Sequence, residues 1–208
     1  SPDVVDAWGG DLGRVFVLDF KTALPWPVIQ LPFHNSGEST LFFPAEDVVV
    51  PTEIINIETL NLSSSGLDIG QFIELDGIAS AQRLTFGLDG LSYWTQSIRQ
   101  TGRTRDQSLA VEVPLFAPGS AAPPGLYYFL VDSPEMAGVP DYLPEPFLGV
   151  VSDVQIVAKR SSDQIMVWAV NLALNAPVAN TPVVLYDENG GVIGGATTNG
   201  QGLCQIEL

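Results

Sequence analysis

One cysteine, one histidine and eight basic residues among 208 positions leave little material for several kinds of chemistry. A lone cysteine, Cys204, closes no intrachain disulfide, so the fold rests on packing and the redox compartment stays open. Zinc sites need clustered Cys and His, and His34 and Cys204 stand near opposite ends of the chain. The eight Lys and Arg face 24 Asp and Glu, for a net charge of −16, so a phosphate backbone is repelled and nucleic acid is excluded as a partner. Three of those bases, Arg99, Arg103 and Arg105, crowd into IRQTGRTR, which reads as a solvated loop offsetting nearby acids and is assigned no ligand. No apolar run approaches the roughly 20 residues that cross a bilayer, so no direct membrane span is expected. The opening SPDVVDAWGG is neither basic nor followed by a signal-type apolar core, which fits an intracellular protein or one whose targeting segment has been removed.

What is abundant is apolar surface and chain punctuation. Hydrophobic residues make up 46%, and 16 prolines and 20 glycines are scattered without low-complexity runs, a spacing that suits short strands better than long helices. The fold class is therefore all-β. LAVEVPL alternates cleanly, with Leu109, Val111, Val113 and Leu115 on a core face, and Pro114 puts this strand at a sheet edge or marks its end. RVFVLDF, PVIQLPF, TLFFPAEDVVV, EIINIETLNL, QFIEL and GLYYFLVD are further strand candidates. IASAQRLTFGL holds at most one short helical turn.

SPEMAGVPDYLPEPFLGV carries four prolines and no alternation and reads as a semi-rigid spacer. Strands resume beyond it in VQIVAKR, QIMVWAVNL, TPVVLYDE, GGVIGGATT and GLCQIEL. QIMVWAVNL is apolar on both faces, as a central strand covered on both sides would be, or one lying against a neighbouring domain. Two consecutive antiparallel β-sandwiches are expected: residues 1–135, a Pro-rich linker at 136–151, and a second, incomplete sandwich at 152–208.

Candidate chemistry is sparse, and no catalytic, cofactor-binding or metal residue is assigned. A nucleophilic triad would need His34 as base, yet His34 precedes a turn-like Asn-Ser-Gly step and no Gly-X-Ser-X-Gly elbow is present. In DENGG, Asp187, Glu188 and Asn189 offer oxygen donors for Ca²⁺ but lack the Asp-X-Asp-X-Asn-Gly spacing and its closing glutamate; a hairpin turn fits better. GGVIGGATTNGQG contains neither a Walker-type loop nor a Gly-X-Gly-X-X-Gly leading into a helix. Cys204, sharing a strand face with Ile206 and Leu208, reads as a core residue with no cation nearby in sequence to activate it.

The second half resembles the macroglobulin-type β-sandwich domain of bacterial alpha-2-macroglobulin-like proteins. The resemblance is carried by Lys159-Arg160, Val167-Trp168-Ala169-Val170-Asn171-Leu172, Asn175-Ala176-Pro177-Val178, Val183-Val184-Leu185-Tyr186 and Thr198-Asn199-Gly200-Gln201-Gly202. Against the family pattern, Asn171 and Asn199 replace Asp, and Asn175-Ala176 replaces Gly-Lys; asparagine forms the same Asx-type backbone bonds and tolerates left-handed conformations. PPGLYYFLVDSPE is similar to the strand that ends one such domain before the next begins.

The resemblance implies a structural role and no enzymatic one. These would be scaffold domains of a protease trap, exported to the periplasm or cell envelope, packing against neighbouring domains of a longer chain and meeting target proteases through the whole protein. The trap's Cys-X-Glu-Gln thioester is absent, because position 207, three beyond Cys204, is Glu. Transthyretin-like and invasin-like modules of bacterial adhesins share the same strand logic. In that alternative the sandwich loops bind a host protein or glycan, with Trp8 and Trp26 as exposed candidates.

Overall fold

The computed structural model describes residues 5, 7–10, 19, 25–33, 40–84, 93–101, 105–117 and 122–208. RVFVLDF, except Asp19, and His34 lie outside them.

Two sheets make the first sandwich. One has the order β1 (Val28–Gln30), β3 (Val49–Ile55), β6 (Ser108–Pro114), all antiparallel. The other has the order β2 (Thr40–Phe43), β8 (Phe147–Val151), β7 (Gly125–Asp132), β4 (Thr59–Leu67), β5 (Tyr93–Arg99). One pairing departs from the antiparallel expectation: β2 runs parallel to β8.

Their facing sides bury Val50 and Ile54 from β3, Val113 from β6, Leu60 and Leu62 from β4, Phe129 and Val131 from β7, and Phe147 and Val151 from β8. An aromatic stack runs through this core: Phe129 lies 5.3 Å from Phe147, 5.9 Å from Phe116 and 6.3 Å from Phe43, centroid to centroid. The alternation of LAVEVPL is realised as expected, with Val113 and Leu115 fully buried, Leu109 and Val111 packed against the core, and Pro114 closing an edge strand.

Sequence and structure differ in four further places. TLFFPAEDVVV and EIINIETLNL each span two strands, divided at Pro44–Val48 and at Asn56–Glu58, where Asn56 takes a left-handed φ of 54°. Tyr93–Arg99, with polar residues on every other step, is a strand with no clear apolar stripe to announce it. QFIEL belongs to a helix, α1 (Ile69–Asp76). Asp68 accepts from the Gln71 N–H at 2.8 Å while the Gln71 side chain accepts from the Asp68 N–H at 2.9 Å, a closed capping box. Leu75 and Phe72 then pack on Tyr128 and Leu148, covering the outer face of the five-stranded sheet. Asp68→Ala is expected to cost about 1 kcal/mol in denaturant unfolding.

The fourth difference is the expected linker at 136–151. Pro134 opens a 3₁₀ turn (Pro134–Gly138), and Phe147–Val151 is not a spacer but an inner strand between β7 and β2, with Phe147, Leu148 and Val151 fully buried. The run FLGVV lacks alternation because both its faces are covered, one by the core and one by α1.

The remainder is built from β9 (Val154–Arg160), β10 (Gln164–Asn171) and β14 (Leu203–Glu207), with β10 central, a short β11 (Ala176–Pro177) on β10, and a hairpin of β12 (Pro182–Tyr186) and β13 (Val192–Thr197). Val167, Cys204 and Ile206 face Val183, Leu185 and Ala196 of the hairpin across a small core. The connection from β8 to β9 is two residues, both fixed. The Ser152 N–H donates to the Phe43 carbonyl at 2.9 Å, and the Asp153 carboxylate accepts from the Ala45 N–H at 3.0 Å while its carbonyl accepts from the Leu172 N–H at 2.8 Å.

Candidate functional site

The polar residues of the C-terminal motif are used in holding turns. The Asn199 side-chain oxygen accepts from the N–H groups of Gln201 and Leu203, at 2.9 and 3.1 Å, and the Asn171 side chain accepts from Leu174 N–H at 2.8 Å. Asn175, with φ of 48°, supplies the left-handed residue of its turn. These are the Asx-type bonds and the left-handed conformation expected of asparagine in turns.

Thr198 completes the arrangement. Buried to 2% exposure, its hydroxyl donates to the Val178 carbonyl at 2.7 Å and accepts from the Thr181 N–H at 3.0 Å, so the Thr-Asn-Gly loop is tied to the connection ahead of β12. The sequence signal was the Thr197-Thr198 doublet before Asn-Gly, where only the second threonine points inward.

DENGG forms the β12–β13 hairpin turn. Asp187 Oδ1 accepts from the N–H groups of Asn189 and Gly191, at 2.8 and 2.7 Å. A carboxylate with backbone N–H donors on one oxygen is a turn element, which is the role Asp187 takes here. The turn also reaches the first sandwich: a Cβ placed on Gly190 would stand 3.7 Å from the Gly70 Cα of α1.

Cys204 is 8% exposed within the small core, beside Val167 and Ile206, in line with its reading as a core residue; Leu208, expected on the same face, is 48% exposed beyond the end of β14. A thiol reagent should therefore modify Cys204 in the folded protein at least about a hundredfold more slowly than in denaturant, as a colour-forming disulfide assay would show. Equal rates would remove the residue from the core.

Trp168 occupies the central strand as expected, yet its side chain lies on the outer face and is 46% exposed, next to Met166 at 41%. The burial of β10 is thus one-sided: Val167 and Ala169 face the hairpin, and the apolar outer face meets solvent. Of the basic segment, Arg99 ends β5 opposite Thr59 and Arg105 lies 4.0 Å from the Asp106 carboxylate, a largely exposed pair; Arg103 lies outside the described residues. Trp8 and Trp26 are 91% and 59% exposed.

One described base is buried. Arg83, in the short helix α2 (Ser80–Arg83), donates from Nε to the Leu75 carbonyl at 2.7 Å at the end of α1. Burial lowers its pKa, opposed by the nearby Asp76 carboxylate. This is a clamp between two helix ends.

Residues 151–208 match the family described as the bacterial alpha-2-macroglobulin MG3 domain. No curated protein matches the chain. Among solved structures, it is similar to native alpha-2-macroglobulin from Escherichia coli spanning domains MG0-NIE-MG1, with a TM-score of 0.69 and 17% identity over 99% of this chain and 65% of that one. It is also similar to the same protein spanning NIE-MG1, with a TM-score of 0.66 and 18% identity over 88% of each chain. A Salmonella alpha-2-macroglobulin mutant gives a TM-score of 0.63 and 16% identity, over 99% of this chain and 12% of that one. The chain thus spans less than two thirds of the first of these and about an eighth of the third, and the likeness at these identities is one of fold.

Proposed function

We propose, on the premise that residues 151–208 are a macroglobulin domain of the bacterial alpha-2-macroglobulin family, that the chain is a non-catalytic scaffold segment of a longer protease inhibitor. Its two units are residues up to Val151 and residues from Ser152 onward. They position neighbouring domains of the same polypeptide in an exported protein of the periplasm or cell envelope, and target proteases meet the whole protein. The observation that carries this reading is the use of the motif's polar side chains: Asn171, Asp187 and Asn199 bond backbone groups of their own turns, and Thr198 bonds the backbone of the connection ahead of β12. Those bonds specify shape.

Protease shielding by the longer protein is the test. A trapped protease keeps hydrolysing a small chromogenic peptide while losing access to a folded protein substrate, and removal of residues 1–208 should abolish that protection. Undiminished protection after the deletion, or hydrolysis by the isolated chain, would overturn the scaffold role.

The exposure of Trp8 and Trp26 favours one second reading, a binding module of a surface adhesin. It requires tryptophan emission to shift on adding a glycan panel; an unshifted spectrum removes it.

A further inference from the structure

The first sandwich has a notch at one end, about 460 Å³ in volume, between the chain entering β1 and the segment Met136–Glu145. Its floor is the main core itself, reached at Leu31, Val131 and Met136, all buried. Two large apolar side chains stand at the rim with much of their surface in solvent, Trp26 at 59% and Leu143 at 62% exposed. The charged residues of the lining are Asp141 and Glu145, and no Lys or Arg joins them among the described residues. Tyr142 forms part of the wall and donates its hydroxyl to Asp132 at 3.1 Å. Burial, then the carboxylates of Asp132 and Glu145, pushes that phenol well above its usual range, so the wall stays neutral beside an anionic rim. Along one side runs β1, a three-residue strand paired among the described residues with β3 alone.

We propose that this notch docks an extended segment of a partner polypeptide that places a branched apolar or aromatic side chain in the cavity with lysine or arginine next to it. Three features select that occupant. The volume is that of a small-molecule site and admits one or two large side chains, not a folded surface. Among the described residues β1 has one ladder partner, and a strand added on its other edge would gain main-chain pairing of the kind used in β-strand addition, with the cavity giving side-chain selectivity. The acidic rim on a chain of net charge −16 attracts a cationic partner and repels a second copy of itself. A sugar is disfavoured by the apolar floor and by a tyrosine hydroxyl already committed to Asp132. The proposal stands independently of the scaffold reading.

Two capped hexapeptides test it, Thr-Val-Leu-Lys-Val-Thr and its counterpart with glutamate in place of lysine, titrated by calorimetry and tryptophan emission. The lysine peptide should bind at least about tenfold more tightly than the glutamate peptide, with the difference shrinking in high salt. The double substitution Asp141→Asn and Glu145→Gln should bring the two peptides within about twofold of each other. Trp26→Ala, a change at an exposed rim position, should weaken both; circular dichroism checks that each variant keeps its fold. Absence of saturable binding of the lysine peptide at about 1 mM, equal affinity for the two peptides, or binding that ignores both variants would overturn the proposal.

Discussion

Phe129→Ala is expected to destabilise the first sandwich by about 4 kcal/mol, in the middle of the range for deleting a buried aromatic. The ring is fully buried and packs on Phe43, Phe116, Tyr127 and Phe147, so its loss opens a void between two sheets whose backbones are fixed by their ladders. The same ring explains a glycine in the middle of β8. A Cβ on Gly149 would stand 2.4 Å from Phe129 Cε2 and 3.3 Å from Phe43 Cε2, with β7 on one side of the strand and β2 on the other. Gly149→Val should therefore cost about 3 kcal/mol by overpacking. In the Phe129→Ala background the valine enters the vacated space, and the pair should be less destabilised than the sum by at least about 1 kcal/mol. Urea unfolding of the four proteins closes the cycle; strict additivity would show that Gly149 and Phe129 do not share the space.

Gly202→Ala should unfold the second unit selectively. Gly202 has φ of 74°, and a Cβ there would meet the Ala169 carbonyl oxygen at 2.4 Å and Pro177 at 3.1 Å. That carbonyl cannot retreat, since it accepts from the Val178 N–H at 2.9 Å. Left-handed strain of about 1–2 kcal/mol adds to a clash with backbone, for about 3 kcal/mol in all. The small core of Val167, Cys204 and Ile206 has little stability to spare. Gly200→Ala is the matched control: nothing lies within 4 Å of its Cβ position, and the change should stay within about 0.5 kcal/mol. Cys204 reports the outcome, reacting rapidly with a thiol reagent in Gly202→Ala and slowly in Gly200→Ala. Equal reactivity in the two would show that the turn does not hold the small core.

Much of this architecture was legible in the chain because the relevant signals are local. GLYYFLVD, QIMVWAVNL and GLCQIEL are strands with core faces or central positions that alternation and β-branching announce, VQIVAKR is an exposed edge strand that β-branching alone announces, and asparagine at 171, 175 and 199 does the turn work its chemistry suits. The structural matches likewise show the all-β sandwich architecture that strand spacing pointed to.

What was hidden depends on partners distant in sequence. FLGVV reads as spacer because its covering elements, α1 and the three-stranded sheet, are remote in sequence, and its neighbouring prolines dominate the local pattern. QFIEL contains strand-compatible residues, and only the reciprocal bonds of Asp68 and Gln71 together with the packing of Leu75 on Tyr128 make it a helix. Asp153 gives no sequence sign that it bonds both Ala45 and Leu172 and so joins the two units. The notch behind Trp26 needs residues from 26 to 31 and from 131 to 145 at once, which no local pattern brings together.

The most direct measurement of the scaffold role uses the protease-shielding assay on the longer protein in two forms. One carries His34→Ala and Cys204→Ala, which remove the chain's histidine and thiol; the other carries Phe129→Ala, which leaves both in place and weakens the fold. A scaffold predicts that the first form, shown folded by its melting curve, shields a captured protease from a protein substrate as the parent does, and that the second loses protection as its first sandwich unfolds. Loss of protection in the folded His34→Ala, Cys204→Ala form, with protection retained in an unfolded Phe129→Ala form, would contradict it.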